Sequence, residues 1–171
     1  MVKELLKHTE TIERVLFICT GNICRSPMAE GLMTERLRQE GKPSAAVSSA
    51  GIFASPGNLP DPSAVHVAGE AGVDISGHRA RVVNNDTLGW ADIVLAMESG
   101  QREFISMEFP RHSAKVVLLG RFGSQGGEIA DPYGASLEVY RACFGEIREA
   151  IDGFIQFLSS RSPLKNPGVN G

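Results

Sequence analysis

Two cysteines, an arginine and a serine crowd one short run near the start of the chain, Cys19-Thr20-Gly21-Asn22-Ile23-Cys24-Arg25-Ser26-Pro27. Cys19 and Arg25 enclose five residues, few enough for successive backbone N–H groups to curl around one small anion, as amide nests and helix N-termini do for phosphate. Gly21 allows a positive φ and a close backbone approach to a ligand, and Asn22 tolerates the left-handed region better than most residues. Arg25 adds a planar fork matched to two phosphate oxygens. A cysteine facing that much positive potential is expected to ionise below the ordinary thiol value of about 8.5. The run therefore predicts a phosphate cradle, Thr20 to Cys24, with Cys19 as a thiolate nucleophile at its floor.

The flanking chain is patterned to hold such a loop. Val15–Ile18 is a short apolar run of strand type, and Ser26-Pro27 reads as a helix start, with serine able to cap and proline suited to the first helical position. Strand, loop and helix thus follow in the order an anion site needs. A nucleotide-binding P-loop is a poor alternative, because its Gly-Lys-Ser/Thr ending is absent. A zinc site is poorer still: Cys19 and Cys24 are too few ligands, and no other pair has finger-like spacing. The chemistry expected here needs no metal and no cofactor.

The run at 19–27 resembles the signature of the low-molecular-weight protein tyrosine phosphatases. Far downstream, Asp131-Pro132-Tyr133 resembles that family's Asp-Pro-aromatic general-acid loop. The likeness extends to Ser49-Ala50-Gly51, Asp61-Pro62, His78 with Arg81, and Ala91 to Met97, so it stays in register over most of the chain. It implies that Cys19 attacks phosphorus while Arg25 and the amides of Thr20, Gly21, Asn22, Ile23 and Cys24 hold the phosphoryl oxygens. It further implies that Ser26 hydrogen-bonds the thiolate, that Asn22 locks the loop and that His78 joins this support. Asp131 would donate a proton to the leaving oxygen and then activate water. An Asp-Pro pair alone is ordinary turn punctuation; its pairing with the cysteine loop is what favours the acid–base role. The chemistry is coherent without the family: an activated thiolate splits the transfer through a covalent intermediate, and preorganised donors stabilise charge on the equatorial oxygens.

Cys24 has two readings. It is a packed small residue, or, as the resemblance implies, a disulfide partner that protects an oxidised Cys19. Cys143 falls within the last helical pattern and reads as core. Phe53 and Tyr133 are candidates for an aromatic rim that would select a long phosphotyrosine, although exposed aromatics can also be plain packing. The runner-up is the protein-arginine phosphatase branch, which this chain resembles around residues 50–55 and 131–134. Those enzymes carry threonine where Ile23 stands, and an apolar isoleucine suits a phenyl ring better than a guanidinium. An arsenate reductase would need a relay pair of cysteines, and Cys143 stands alone. A silent phospho-binding module would be expected to lack the cysteine or the acid, and both are present.

The remaining features fit an ordinary enzyme domain. The 171 residues can bury a sizeable core, and a net charge of −3 offers no basic field for nucleic acid or anionic membrane. No signal-peptide core and no long apolar run is visible, and three cysteines with a reactive one fit a reducing compartment, so the expected setting is cytoplasmic with a phosphotyrosine-bearing protein as partner. Strand-like runs at 15–18, 46–49, 93–96 and 115–119 alternate with helical patterns at 28–37, 62–72 and 137–158. This predicts an α/β three-layer sandwich with a short, about four-stranded parallel sheet covered by helices on both faces, which the resemblance specifies as phosphotyrosine phosphatase I-like. One domain is expected over 14–160, after an extension over 1–13 where Val2, Leu5, Leu6 and Ile12 permit a short amphipathic helix. A loose tail rich in Pro, Gly and Asn follows at 161–171.

Overall fold

Val15, Leu16, Phe17 and Ile18 leave no polar face, and such a strand is stable only in a sheet covered on both sides. The computed structural model, which describes residues 12–40 and 45–161, places them in that way. In chain order the elements are β1 (Arg14–Cys19), α1 (Arg25–Gln39), β2 (Ala46–Gly51), α2 (Pro62–Glu70), α3 (Asn85–Trp90), β3 (Ile93–Ala96), α4 (Ser99–Glu108), β4 (Val116–Leu118) and α5 (Leu137–Arg161). Short 3-10 segments, Pro110–Lys115 and Leu119–Phe122, flank β4.

The four strands pair in parallel in the order β2-β1-β3-β4, with Phe17 opposite Ser49 on one side and Leu95 on the other. This is the expected four-stranded parallel sheet. Alternation along β1 separates two cores. Val15 and Phe17 pack with Met28 and Leu32 of α1, Val67 of α2, and Ile147, Ile151 and Phe154 of α5. Leu16 and Ile18 pack on the other face with Val83, Leu88 of α3 and Ile105 of α4. Each such fully buried side chain contributes about 1.5–3 kcal/mol. From β1 the chain goes to one neighbour and later comes back on the other side, so the carboxyl end of β1 is a topological switch point, where ligands of open α/β sheets bind. Cys19 is the last residue of β1.

Helices α3 and α4 have too few apolar positions to be legible as stripes. Only Leu88 is buried on α3, whose start is fixed by polar capping: Thr87 N donates to Asn84 Oδ1 and Asn84 N to Thr87 Oγ1, both at 2.9 Å. On α4 the buried residues are Gln101 and Ile105.

Residues 1–11 of the extension and residues 162–171 of the tail lie outside the described residues. Ile12 packs against the larger core, and Glu13 N donates to Asp92 Oδ2 at 2.9 Å. Among the described residues no helix is long and apolar enough to cross a membrane.

Candidate active site

The loop between β1 and α1 is fixed from outside through its carbonyls. Ile52 N donates to Cys19 O at 3.0 Å, Phe53 N to Thr20 O at 2.9 Å and Asp61 N to Ile23 O at 2.8 Å. His78 Nε2 reaches Asn22 O at 2.9 Å, and Met28 N reaches Cys24 O at 3.1 Å. In a trans peptide the N–H and C=O point in opposite directions, so outward carbonyls turn the amide N–H groups inward. The left-handed residue of the loop is Asn22, at φ 56°, and not Gly21. Gly51 is the glycine that close approach requires: a Cβ there would sit 2.6 Å from Thr20 O and 2.9 Å from Asn22 N.

Asn22 is fully buried and ties the floor together. Its Nδ2 donates to Ser26 Oγ at 2.8 Å and to Ser49 Oγ at 2.9 Å, and its Oδ1 accepts from Arg81 N at 2.9 Å. Ser26 Oγ lies 2.9 Å from Cys19 Sγ, and Asn22 N donates to the same sulfur at 3.3 Å. Ser49 in turn donates to Glu30 Oε2 at 2.5 Å, and His78 Nδ1 stands 3.8 Å from that oxygen. The thiol is thus held by a chain of polar groups, every one of which uses its partners. Helix α1 begins at Arg25 with Cys24 as its cap residue, one position before the expected Ser26-Pro27 start. Ser26 therefore caps nothing; its hydroxyl belongs to the sulfur.

Arg25, with 1 % of its surface exposed, is the largest fully buried side chain. Its Nη1 donates to Glu98 Oε2 at 2.6 Å and to Ile129 O at 2.8 Å, which uses both of that nitrogen's hydrogens. Nη2 pairs with Asp131 Oδ2 at 3.1 Å. Nε is buried and has no partner. The guanidinium therefore keeps Nε–H and one hydrogen of Nη2 on a single edge, the bidentate geometry that a phosphate accepts. Burial by itself would lower the arginine's pKa; the Glu98 hydrogen bond and the charges of Cys19, Asp131 and Glu98 outweigh it and hold the group above its ordinary value.

These groups open onto one cavity of about 170 Å³, lined by Cys19, Thr20, Gly21, Ile23, Cys24, Arg25, Asp131 and Tyr133. Asp131 stands on its rim, 43 % exposed, with Tyr133 N donating to its Oδ1 at 3.2 Å. Phe53 is not among the lining residues; its ring meets Phe104 edge-on with centroids 5.2 Å apart. Cys24 is buried, its sulfur 3.4 Å from the hydroxyl of Tyr140. Burial, only partly offset by that contact, pushes its pKa up to about 12, so it stays a thiol at neutral pH. Burial raises Cys143 to about 12 as well, and all three cysteines are free.

Glu98 and Gln101 were absent from the sequence reading. A signal for Glu98 existed: it stands two residues past the end of β3, the neighbour of the strand that carries Cys19, and strand ends of that kind face the ligand. Gln101 had none, because an isolated polar residue in a weak helical pattern reads as solvent-facing.

Comparison with known proteins agrees with this geometry. Residues 14–163 match the family described as low molecular weight phosphotyrosine protein phosphatase. The chain is 40% identical over 148 residues to a protein-arginine-phosphatase of Geobacillus stearothermophilus, covering 86% of this chain and 97% of the relative. It is 37% identical over 144 residues to a probable low molecular weight protein-tyrosine-phosphatase, EpsP, of Ralstonia nicotianae, covering 84% and 94%. Among solved structures, a YwlE arginine phosphatase, a cysteine-to-serine mutant with a phosphorylated active-site serine, superposes with TM-score 0.81 at 33% identity over 85% of this chain and 95% of that one. A family match over residues 14–163, the four-stranded parallel sheet and the cysteine loop at its switch point agree: the chain belongs to the low-molecular-weight phosphotyrosine protein phosphatases, a family of hydrolases.

Proposed function

We propose that the protein hydrolyses phosphotyrosine on protein substrates through a phosphocysteine intermediate. The observation that carries the reading is the pairing of Cys19 Sγ with the unpartnered, buried Nε of Arg25 in one cavity. A donor buried without a partner costs about 1–3 kcal/mol, a penalty that a bound anion removes. Phosphate enters against the loop amides and the Nε/Nη2 edge of Arg25. Cys19 Sγ forms a bond to phosphorus as the bond to the leaving oxygen breaks, and Asp131 gives that oxygen its proton. Asp131, now a carboxylate, takes a proton from water; the water oxygen bonds to phosphorus, the S–P bond breaks, and phosphate and the thiolate are released. Ser26 and Asn22 N hold the sulfur through both steps. The phosphorylated serine of the related arginine phosphatase supports attack from this position.

The choice of phosphotyrosine rests on Ile23 and Tyr133, an aliphatic and an aromatic wall around the cavity. A second reading, phosphoarginine, is favoured by the 40%-identical relative named for that activity. The test is phosphate release from a phosphotyrosine peptide and a phosphoarginine peptide side by side, with wild type and Cys19→Ser. Preference for phosphotyrosine, lost in the serine variant, is expected. Preference for phosphoarginine with the same loss keeps the nucleophile and overturns the substrate. Release that survives Cys19→Ser overturns the mechanism.

A further inference from the structure

The amide of Gln101 sits where three parts of the site meet. The residue is on the first turn of α4 and is 2 % exposed. Its Oε1 accepts two backbone hydrogens, from Met97 N at 2.9 Å and Glu98 N at 3.0 Å, just past the end of β3. Two accepted N–H bonds fix which way round the amide stands, so the opposite end must be the donor. That Nε2 donates to Glu98 Oε2 at 3.1 Å and lies 3.4 Å from Thr20 Oγ1. Glu98 Oε2 is the same oxygen that accepts from Arg25 Nη1 at 2.6 Å. All four hydrogen-bonding capacities of one side chain are therefore engaged, and the partners are a strand end, the carboxylate that orients the arginine and the first residue of the anion loop.

The physical consequence lies in what Glu98 could do otherwise. Its side chain is about one-third exposed, at 34 %, so water competes for its oxygens. A neutral donor on the oxygen that faces Arg25 holds the carboxylate in one rotamer without adding a charge that would compete with phosphate for the guanidinium. Held so, Glu98 and Ile129 O occupy both hydrogens of Nη1 and leave the Nε/Nη2 edge for the anion. The Thr20 contact ties the same amide to the loop, so arginine and loop keep a fixed spacing. We infer that Gln101 is a positioning residue for anion binding, acting through Glu98 on Arg25 and through Thr20 on the cradle. This rests on the reading of the site as a phosphatase and adds to it the residue that sets the arginine's presentation.

The experiment compares wild type, Gln101→Met, Glu98→Gln and the double variant. The readouts are kcat and KM for p-nitrophenyl phosphate, the dissociation constant of inorganic phosphate by calorimetry, and the thermal midpoint. Methionine keeps the length and apolar packing and removes the amide. Gln101→Met should raise both KM and the phosphate dissociation constant about tenfold, the scale of a hydrogen bond to a charged group, and change kcat less. In the Glu98→Gln background the same substitution should cost less than about threefold, because the path through Glu98 is already cut. A KM and a phosphate constant both within twofold of wild type overturn the proposal, whatever happens to the thermal midpoint. Full additivity in the double variant overturns the route through Glu98. If Gln101→Met does not fold, Gln101→Glu replaces it. That isostere keeps an acceptor for the Met97 and Glu98 amides but sets an oxygen against Glu98 and Thr20, so phosphate binding should weaken at least as much. A wild type that binds phosphate but hydrolyses no phosphomonoester defeats the phosphatase reading alone, and the binding constants then decide the role of Gln101.

Discussion

The floor and the mouth of the anion loop are built from different materials. At the floor, Cys19, Asn22, Ser26 and Ser49 are buried, and each uses its hydrogen-bonding partners inside the protein. At the mouth, Asp131 is 43 % exposed and Tyr133 is 65 % exposed, and the tyrosine has no ring partner among the described aromatic contacts. A buried, fully satisfied polar network admits few arrangements, because any departure leaves an unpaired group in a low-dielectric setting. An exposed rim has no such constraint. The floor is therefore suited to what every phosphoryl group shares, and the mouth to what distinguishes one leaving group from another.

Four variants test that division, in order of expected effect. Asp131→Ala should lower turnover by about 10²–10⁴ on substrates with poor leaving groups and far less on p-nitrophenyl phosphate, with substrate affinity kept. Equal loss on both would remove the proton-donor role. Gly51→Ala, a floor change made through the backbone, should lower kcat/KM about 10²-fold on good and poor leaving groups alike, because the new methyl displaces Thr20 and Asn22 and misplacement of reacting groups by about 1 Å costs that much. A loss that depended on the leaving group would blur floor and mouth. Ile23→Thr should change the ratio of phosphotyrosine to phosphoarginine turnover about tenfold toward phosphoarginine, the scale on which one apolar contact discriminates. An unchanged ratio would move specificity elsewhere on the rim.

The smallest effect concerns pH. Burial holds the pKa of His78 below its ordinary 6.5, against the opposing pull of its bond to Asn22 O and of Glu30. The unfolded chain then takes up a proton near that value before the folded one does. Stability is full above about pH 6.5 and falls as the pH drops toward the lower folded value. Urea midpoints between about pH 5 and 7.5 should show this slope, and His78→Gln, which keeps a donor for Asn22 O, should flatten it. An unchanged slope in the variant would assign the acid sensitivity to other groups.

Much of the site was legible because its signals are local. Cys19, Arg25 and the loop between them lie within a single turn of chain, and the strand before it is apolar on both faces, so the parallel sheet could be anticipated from Val15–Ile18 alone. The long helix α5 was equally plain, since Tyr140, Phe144, Ile147, Ile151 and Phe154 repeat at helical spacing and are all buried. Helices α3 and α4 were not, because capping and a single buried apolar side chain hold each, and neither leaves a periodic trace. One local expectation was overridden. Serine's intrinsic preference for capping gave way to a tertiary partner: Ser26 lies against the sulfur, and the helix starts one residue earlier, at Arg25.

From its sequence alone the protein determines a cysteine, an arginine six residues on and a short loop between them at the end of a buried strand. These follow from short-range sterics, hydrogen-bonding capacity and period-2 burial. Only the tertiary structure decided which edge of Arg25 is free for an anion, because Glu98 and Asp131 stand 73 and 106 residues away and Ile129 offers nothing but a backbone carbonyl. No residue type announces such contacts. They are made when parallel strands bring their carboxyl ends together, and that juxtaposition is set by sheet order and burial across the whole chain.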